Sequence, residues 1–194
     1  MRSLVSGTVL YVIGNALVKF ANYRAFQADI DTPEFNRDVE RVIDFVKEAR
    51  ADKARGFFIG NGGSASTAAH FTNDFQKVAK LPCVSLNDTS TITALANDIE
   101  YKCIFSEQLN MHGKLGDILF AISASGNSPN IVYSAIDAKA RGMTVVTLSG
   151  FQPTNQLRNV GHINFYVPSC EYGLVEATHF NILHYVLDRV KHGN

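Results

Sequence analysis

The sequence predicts a single three-layer α/β/α domain, in which helices cover both faces of a parallel β-sheet, preceded by an N-terminal helical extension. A chain of 194 residues is long enough to bury one substantial core. Five short apolar runs are each bounded by Gly, Pro, Asn or Ser, and helical patterns occupy the four gaps between them. Strands that are apolar on both faces and alternate with helices are typical of a parallel sheet. The predicted strands are residues 56–59, 83–86, 118–122, 145–148 and 163–167.

The N-terminal part, residues 1–53, is predicted to be helical, and the α/β core is expected at residues 54–194. An apolar stretch at residues 4–13 resembles a signal peptide, but a Ser-Gly-Thr triplet interrupts it and no cleavage site follows. We therefore expect it to pack as a helix on the domain or on a sister subunit. Thr32 and Pro33 mark the N-cap and first position of the next helix.

Charge and cysteine content narrow the expected partners and compartment. Lys plus Arg and Asp plus Glu both total 18, so the formal net charge is zero. That balance, without any Lys/Arg run, gives no electrostatic attraction to nucleic acid or to an anionic membrane. The cysteines at positions 83, 103 and 170 form no Cys-x-x-Cys pair. We therefore expect a protein of the reducing cytoplasm that binds neither nucleic acid nor membrane.

Two loops rich in Ser, Gly and Asn follow the first and third predicted strands. The first loop, residues 60–66, reads Gly-Asn-Gly-Gly-Ser-Ala-Ser, and the second loop, residues 123–128, reads Ser-Ala-Ser-Gly-Asn-Ser. Ligands of parallel α/β folds bind beyond the carboxyl ends of the strands. Glycine lets the backbone approach a ligand closely, and a helix start offers unpaired N–H groups to an anion. Together the loops predict an anion-binding site, although either loop alone is explained equally well as a structural connection between a strand and the next helix.

A dinucleotide site is the alternative interpretation of the first loop, because Gly60, Gly62 and Ala65 loosely match Gly-x-Gly-x-x-Ala. Such a site needs an acidic residue at the end of the second strand, about 20 residues further on. Asp88 lies well beyond that distance and is followed by a Thr-Ser-Thr helix start. Phosphate is therefore the favoured ligand.

Histidines and carboxylates form a second group at helical spacing. His70 and Asp74 are four residues apart and share one helix face. Glu176 and His184 lie about 80° apart around the last predicted helix, residues 171–191, so both can lean toward one cavity. These side chains suit Zn²⁺ or proton transfer at a substrate carbon. Spacing alone favours a simpler interpretation, in which His70 and Asp74 form an ordinary polar pair and His184 is a packed amphipathic side chain.

Several motifs occur in combination, and together they resemble the sugar isomerase (SIS) domain family, in particular its phosphoheptose isomerases. The resemblance runs from about residue 16 to residue 190. The motifs are Gly60-Asn61-Gly62-Gly63-Ser64-Ala65, His70-Phe71, Asp88-Thr89-Ser90-Thr91, Ala96-Asn97-Asp98, Gly116-Asp117-Ile118-Leu119, Ile122-Ser123-x-Ser125-Gly126-Asn127-Ser128-Pro129-Asn130, and His179 with His184.

The resemblance implies a five-stranded parallel sheet of flavodoxin-like type and a homotetramer with sites between subunits. It also implies that the enzyme interconverts sedoheptulose 7-phosphate and D-glycero-D-manno-heptose 7-phosphate through an enediol. One Zn²⁺ per subunit would be held by His70, Asp74, Glu176 and His184, with Asp74 and His184 as the acid/base pair. Ser123, Ser125 and Ser128 would hold the phosphate. The implied substrate positions are Asn61, Gly62, Gly63, Ser64, Asp74, Asn97, Asp98, Ser123, Ala124, Ser125, Ser128 and Glu176.

The chain departs from the family pattern at four places. The family has Glu at the position of Asp74, Gln at that of Glu176 and Thr at that of Ala124, and it has Asp-Thr-Ala-Arg where residues 171–174 read Glu-Tyr-Gly-Leu. Two alternatives therefore stand beside a heptose isomerase: an isomerase of another sugar phosphate, and a non-catalytic phosphosugar-binding regulator or protein adaptor. The retained histidines and carboxylates favour an enzyme.

Overall fold

The five predicted strands form one parallel sheet in the computed structural model, which describes residues 30–192. The spatial order is β2-β1-β3-β4-β5. Each strand agrees with its apolar run to within one residue at either end. Their bounds are β1 Gly56–Gly60, β2 Cys83–Ser85, β3 Ile118–Ser123, β4 Thr144–Ser149 and β5 Ile163–Tyr166. The helix expected within residues 4–13 lies outside the described residues.

Six α-helices accompany the strands within residues 30–192. The first begins as predicted, because Thr32 Oγ1 accepts a hydrogen bond of 3.1 Å from the backbone N–H of Phe35 and Pro33 follows the cap. The helices are α1 Pro33–Ala51, α2 Gly63–Asp74, α3 Thr89–Asp98, α4 Ser106–His112, α5 Pro129–Ala140 and α6 Tyr172–His192. None of these helices combines the length and apolar character needed to span a bilayer.

Successive side chains along each strand point to opposite faces of the sheet, so the hydrophobic core has two parts, one on each face. On one face, Phe58 and Phe120 stack with ring centroids 4.4 Å apart and pack against α1, α2 and α6. On the other face, Phe57 and Leu119 pack against α4 and α5. A sheet covered by helices on both sides is the predicted three-layer sandwich, so the predicted fold class is confirmed.

The connection between β4 and β5 corrects one prediction, because it contains no α-helix. It holds only one turn of 3₁₀-helix, Leu157–Asn159. The buried side chain of Asn155 takes the place of helical hydrogen bonds: its Nδ2 donates to the carbonyls of Gly150 and Gln152 at 3.0 and 2.8 Å, and its Oδ1 accepts from the N–H of Arg158 at 3.0 Å. The segment is therefore an ordered loop.

His179 is buried in α6, with 1% of its surface exposed. Its Nε2 lies 3.1 Å from the carbonyl oxygen of Ser149, and its Nδ1 has no hydrogen-bond partner in the described part of the chain. Burial lowers the pKa of His179 from 6.5 to about 4, and the Ser149 carbonyl only partly opposes that effect. The ring is neutral in the folded protein near neutral pH.

This burial makes stability depend on pH. As the pH falls from 6.5 toward about 4, the unfolded chain takes up a proton that the folded chain does not, so the free energy of unfolding decreases. A His179→Gln variant keeps a donor for Ser149 but cannot titrate. Its loss of unfolding free energy between about pH 7 and about pH 5 should be smaller than that of the wild type by about 2 kcal/mol. Urea denaturation at both pH values measures this, and equal losses in the two proteins would contradict the prediction.

Candidate functional site

The two loops leave the sheet side by side, at the point where the strand order reverses. From β1 the chain runs to β2 on one side, while β3, β4 and β5 extend on the other. Gly60, the last residue of β1, pairs with Ile122 near the end of β3. The first and second loops therefore begin next to each other. This topological switch point is where open α/β sheets bind their ligands.

The second loop gathers the three serine hydroxyls that the sequence singled out. Ser123 Oγ lies 3.1 Å from Ser128 Oγ and 3.5 Å from Ser125 Oγ. Ser128 is the N-cap of α5 but makes no side-chain capping bond, so its hydroxyl is available to a ligand. The side chain of Ala124 is buried, and this position can offer a ligand only its main chain. The loop holds a cluster of uncharged donors at a helix start, which is suitable for phosphate.

Asn155 supports the second loop from behind, a role that the sequence analysis missed. Gly126 has a positive φ of 67°, and a Cβ atom there would overlap the Asn155 carboxamide. The carbonyl of Gly126 accepts a hydrogen bond of 2.9 Å from the N–H of Leu157, and Asn127 Oδ1 accepts one of 3.0 Å from the N–H of Gln156. The loop between β4 and β5 thus fixes the shape of the second loop.

The first loop is tied to α5 through Asn61. Its carboxamide makes two reciprocal hydrogen bonds, each 2.9 Å long, with the carboxamide of Asn130. The hydroxyl of Tyr101 also donates to Asn61 Oδ1, at 3.3 Å. Ser64 is buried inside the first turn of α2, so its side chain faces the protein interior.

Glu176 reaches the first loop from α6. Its carboxylate lies directly over Gly63, the first residue of α2, where a Cβ atom would overlap it. A carboxylate is stabilised at a helix N-terminus by the helix dipole. Gly63 therefore provides the space that Glu176 occupies.

A compact group, which we call the His/Asp cluster, consists of His70, Asp74 and His184. One ligand-type atom from each residue lies within 4.8 Å of the others. His70 Nε2 is 3.1 Å from Asp74 Oδ2, and the two imidazole rings are 5.3 Å apart. Phe71 and Phe180 pack against the imidazole rings with centroid distances of 4.7 to 5.0 Å. Among the described residues, Glu176 does not join this group, although the resemblance implied it as the fourth ligand.

Asn97 and Asp98 lie at the end of α3, exposed and hydrogen-bonded to each other at 2.8 Å. The structure gives neither side chain a hydrogen bond to the first or second loop. Instead Tyr101, just beyond them, makes the contact with Asn61. Their predicted place in the substrate site is an expectation carried by the resemblance.

The fold is a three-layer α/β sandwich with two Ser/Gly/Asn loops at its topological switch point, and comparison with known proteins assigns it to a family. The SIS domain family matches residues 20–150. The phosphoheptose isomerase of Fusobacterium nucleatum is 32% identical over 167 residues, covering 84% of this chain and 86% of the relative. That of Shewanella sp. strain ANA-3 is 40% identical over 182 residues, covering 89% and 92%. The chain therefore belongs to the SIS domain family and, within it, to the phosphoheptose isomerase family.

A solved structure supports the same assignment. The phosphoheptose isomerase of Neisseria gonorrhoeae superposes with a TM-score of 0.82 at 25% identity, covering 90% of this chain and 95% of that one. The resemblance inferred from the motifs is confirmed, and so is the predicted sandwich.

Gly60, the last residue of β1, and Gly63, the first residue of α2, should respond differently to substitution by alanine. At Gly60 a Cβ would overlap the backbone of Ser64, so Gly60→Ala must displace the start of α2 and lower the free energy of unfolding by about 1–3 kcal/mol. At Gly63 it would overlap only the end of the Glu176 side chain, which can turn away. Since alanine is favoured in a helix, Gly63→Ala should change stability by less than about 1 kcal/mol.

The Gly63→Ala substitution should affect function rather than stability. Because its new Cβ displaces the Glu176 carboxylate, it should raise the KM for a sugar phosphate about tenfold. Urea denaturation and steady-state kinetics on the two variants separate the effects. A Gly63→Ala protein as unstable as Gly60→Ala would show that the carboxylate is rigidly held.

Proposed function

We propose that this protein is an aldose–ketose isomerase that converts sedoheptulose 7-phosphate into D-glycero-D-manno-heptose 7-phosphate. The observation that carries the proposal is the His/Asp cluster, in which one ligand-type atom from each of two histidines and an aspartate lies within 4.8 Å of the others. His70 lies about 10 Å along α2 from Gly63, the first residue of that helix, at 1.5 Å per residue. In a sugar 7-phosphate the phosphate and the reacting carbonyl are at opposite ends of the carbon chain, so two separated sites suit it.

The second loop binds the phosphate in this proposal. Hydroxyls of Ser123, Ser125 and Ser128 donate to the phosphate oxygens, and the start of α5 offsets part of the charge. Because the loop carries no Lys or Arg, its affinity depends on the hydroxyls being held in place. Asn155 and Gly126 supply that rigidity.

Asp74 and His184 move the proton. One of them removes a proton from carbon 1 of the ketose, which gives an enediol, and a proton is then delivered to carbon 2 while the hydroxyl proton passes from oxygen 1 to oxygen 2. The bond between His70 Nε2 and Asp74 Oδ2 orients the carboxylate. Phe71 and Phe180 flank the imidazole rings and limit their movement.

The His/Asp cluster also fits one Zn²⁺ per subunit, because two imidazoles and a carboxylate are ligands that zinc accepts. A bound zinc ion would polarise the substrate carbonyl. Glu176 remains the proposed fourth ligand, and it would have to turn away from Gly63 to join the cluster.

The assembly and compartment are part of the same proposal. We propose a homotetramer with sites between subunits, located in the cytoplasm, and the family resemblance supports both. Size-exclusion chromatography with light scattering measures the assembly directly.

Another sugar phosphate is the second candidate substrate. The stretch at residues 171–174 departs from the family pattern, and its exposed Tyr172 packs against Phe151 with ring centroids 4.8 Å apart. Gly150, the neighbour of Phe151, lies against the carbonyl of Ala124 in the second loop. This aromatic pair therefore stands beside the phosphate site. Turnover of five-, six- and seven-carbon ketose phosphates compares the candidates.

Removal of either proposed acid/base group should abolish most of the activity. We expect Asp74→Asn and His184→Ala to lower kcat for sedoheptulose 7-phosphate by about 10²- to 10⁴-fold, since each loses a proton-transferring group. Zinc content is measured on the same samples, so that metal loss and proton-transfer loss are distinguished. The matched control is His112→Ala, which changes an exposed histidine at the end of α4 and should retain wild-type turnover. Full activity in both cluster variants would refute the assignment.

A further inference from the structure

Asn130 is a buried polar residue that takes no part in the proposed catalysis. It is the second residue of α5, two positions after Ser128, and only 1% of it is exposed. Its carboxamide makes two reciprocal hydrogen bonds with that of Asn61: Asn130 Nδ2 donates to Asn61 Oδ1, and Asn61 Nδ2 donates to Asn130 Oδ1, both at 2.9 Å. We call these two bonds the amide pair.

The amide pair decides which atoms of Asn61 remain for a ligand. Asn61 Oδ1 accepts from Asn130 and from the hydroxyl of Tyr101, so both of its lone pairs are used. Asn61 Nδ2 donates one of its two hydrogens to Asn130. The second hydrogen has no partner among residues 30–192. Asn61 is therefore presented as a hydrogen-bond donor.

The surroundings oppose a flip of the Asn61 carboxamide. A flip would bring its NH₂ group against Asn130 Nδ2, and its oxygen against Asn130 Oδ1. Because Asn130 is buried, it has no water with which to replace the lost bonds. A flip of both carboxamides would restore the amide pair, with the Tyr101 hydroxyl as acceptor; in the structure this hydroxyl donates to Asn61 Oδ1. The carboxamide of Asn61 is thus held by two residues, Asn130 from α5 and Tyr101 from the 3₁₀ turn Tyr101–Cys103.

We propose that Asn130 is a positioning residue, which acts through Asn61 by holding its free N–H toward an oxygen of the bound sugar and by fixing the first loop relative to the second. Tyr101 assists by occupying the other lone pair of Asn61 Oδ1. This inference rests on the proposed sugar phosphate substrate. Since α5 also begins at the second loop, the amide pair sets the distance between the phosphate and sugar parts of the site.

The first test is a double-mutant cycle on the zinc-supplemented enzyme. We expect Asn130→Leu, which removes both bonds at similar volume, to lower kcat/KM for sedoheptulose 7-phosphate about 10²-fold, because small misplacements cost that much. In an Asn61→Ala background the same substitution should lower kcat/KM less than about threefold, because Asn130 acts through the side chain of Asn61. Equal losses in both backgrounds would overturn the proposal, because they would indicate a general structural role.

Tyr101→Phe provides a second route that does not disturb the interior, since Tyr101 is exposed. It should lower kcat/KM about threefold to tenfold in the wild type and leave the Asn61→Ala enzyme unchanged. The matched control is Ser134→Ala, one turn further along α5, whose hydroxyl donates to the backbone carbonyl of Asn130 and to no other group within residues 30–192. Ser134→Ala should keep wild-type kinetics. If Asn130→Leu does not fold, the Tyr101→Phe result decides.

Binding measurements separate failure of this inference from failure of the proposed function. Isothermal titration calorimetry measures the Kd of each ligand. Asn130→Leu should raise the Kd of sedoheptulose 7-phosphate about tenfold or more, but that of inorganic phosphate less than about threefold, because inorganic phosphate needs only the second loop. Equal weakening of both ligands would overturn the positioning role. A wild type that binds the sugar phosphate without turning it over would refute the isomerase but leave this comparison decisive. A wild type that binds it no better than inorganic phosphate would refute both.

Discussion

The two reciprocal hydrogen bonds between Asn61 and Asn130 are the constraint on which the arrangement of the site depends. The sheet brings the ends of β1 and β3 together, but its pairing stops near Gly60 and Ile122, and both loops extend beyond that point. Without a further link each loop could settle independently. The amide pair supplies the link in a partly buried environment, and the buried side chain of Asn130 makes its bonds costly to lose. The distance between the parts of the site follows from it.

The proposed phosphate site in the second loop carries no charged side chain and therefore depends on rigid support. Ser123, Ser125 and Ser128 offer only hydroxyl groups, and such donors are effective when they are held in place before the ligand arrives. Asn155 holds the second loop from behind, whereas Asn130 links the helix that follows this loop to the first loop. The His/Asp cluster is held differently, by aromatic rings packed between α2 and α6. One neutral site and one ionisable site are thereby kept apart in the same domain.

Most of the fold followed from the sequence, because strands buried on both faces leave apolar runs that turn residues delimit, and all five were found. The loops and the spacing of His70 and Asp74 were also visible, since local geometry determines them. Asn130 and Asn155 were not recognised as supports, because asparagines near loops have the same pattern whether they form turns or bind a distant segment. The missing helix between β4 and β5 and the position of Glu176 over Gly63 depend on tertiary contacts that no local pattern encodes.

Solvent deuterium incorporation tests the central claim most directly, because proton transfer through an enediol exchanges the migrating hydrogen with the catalytic groups and hence with water. The wild-type enzyme is incubated with sedoheptulose 7-phosphate in heavy water, and the aldose product is analysed by NMR. We predict deuterium at carbon 2 of the product. The amount of deuterated product formed per unit time should fall together with turnover in the Asp74→Asn enzyme. Product that forms with no deuterium at that carbon would contradict the account, since the hydrogen would then have moved directly between the two carbons.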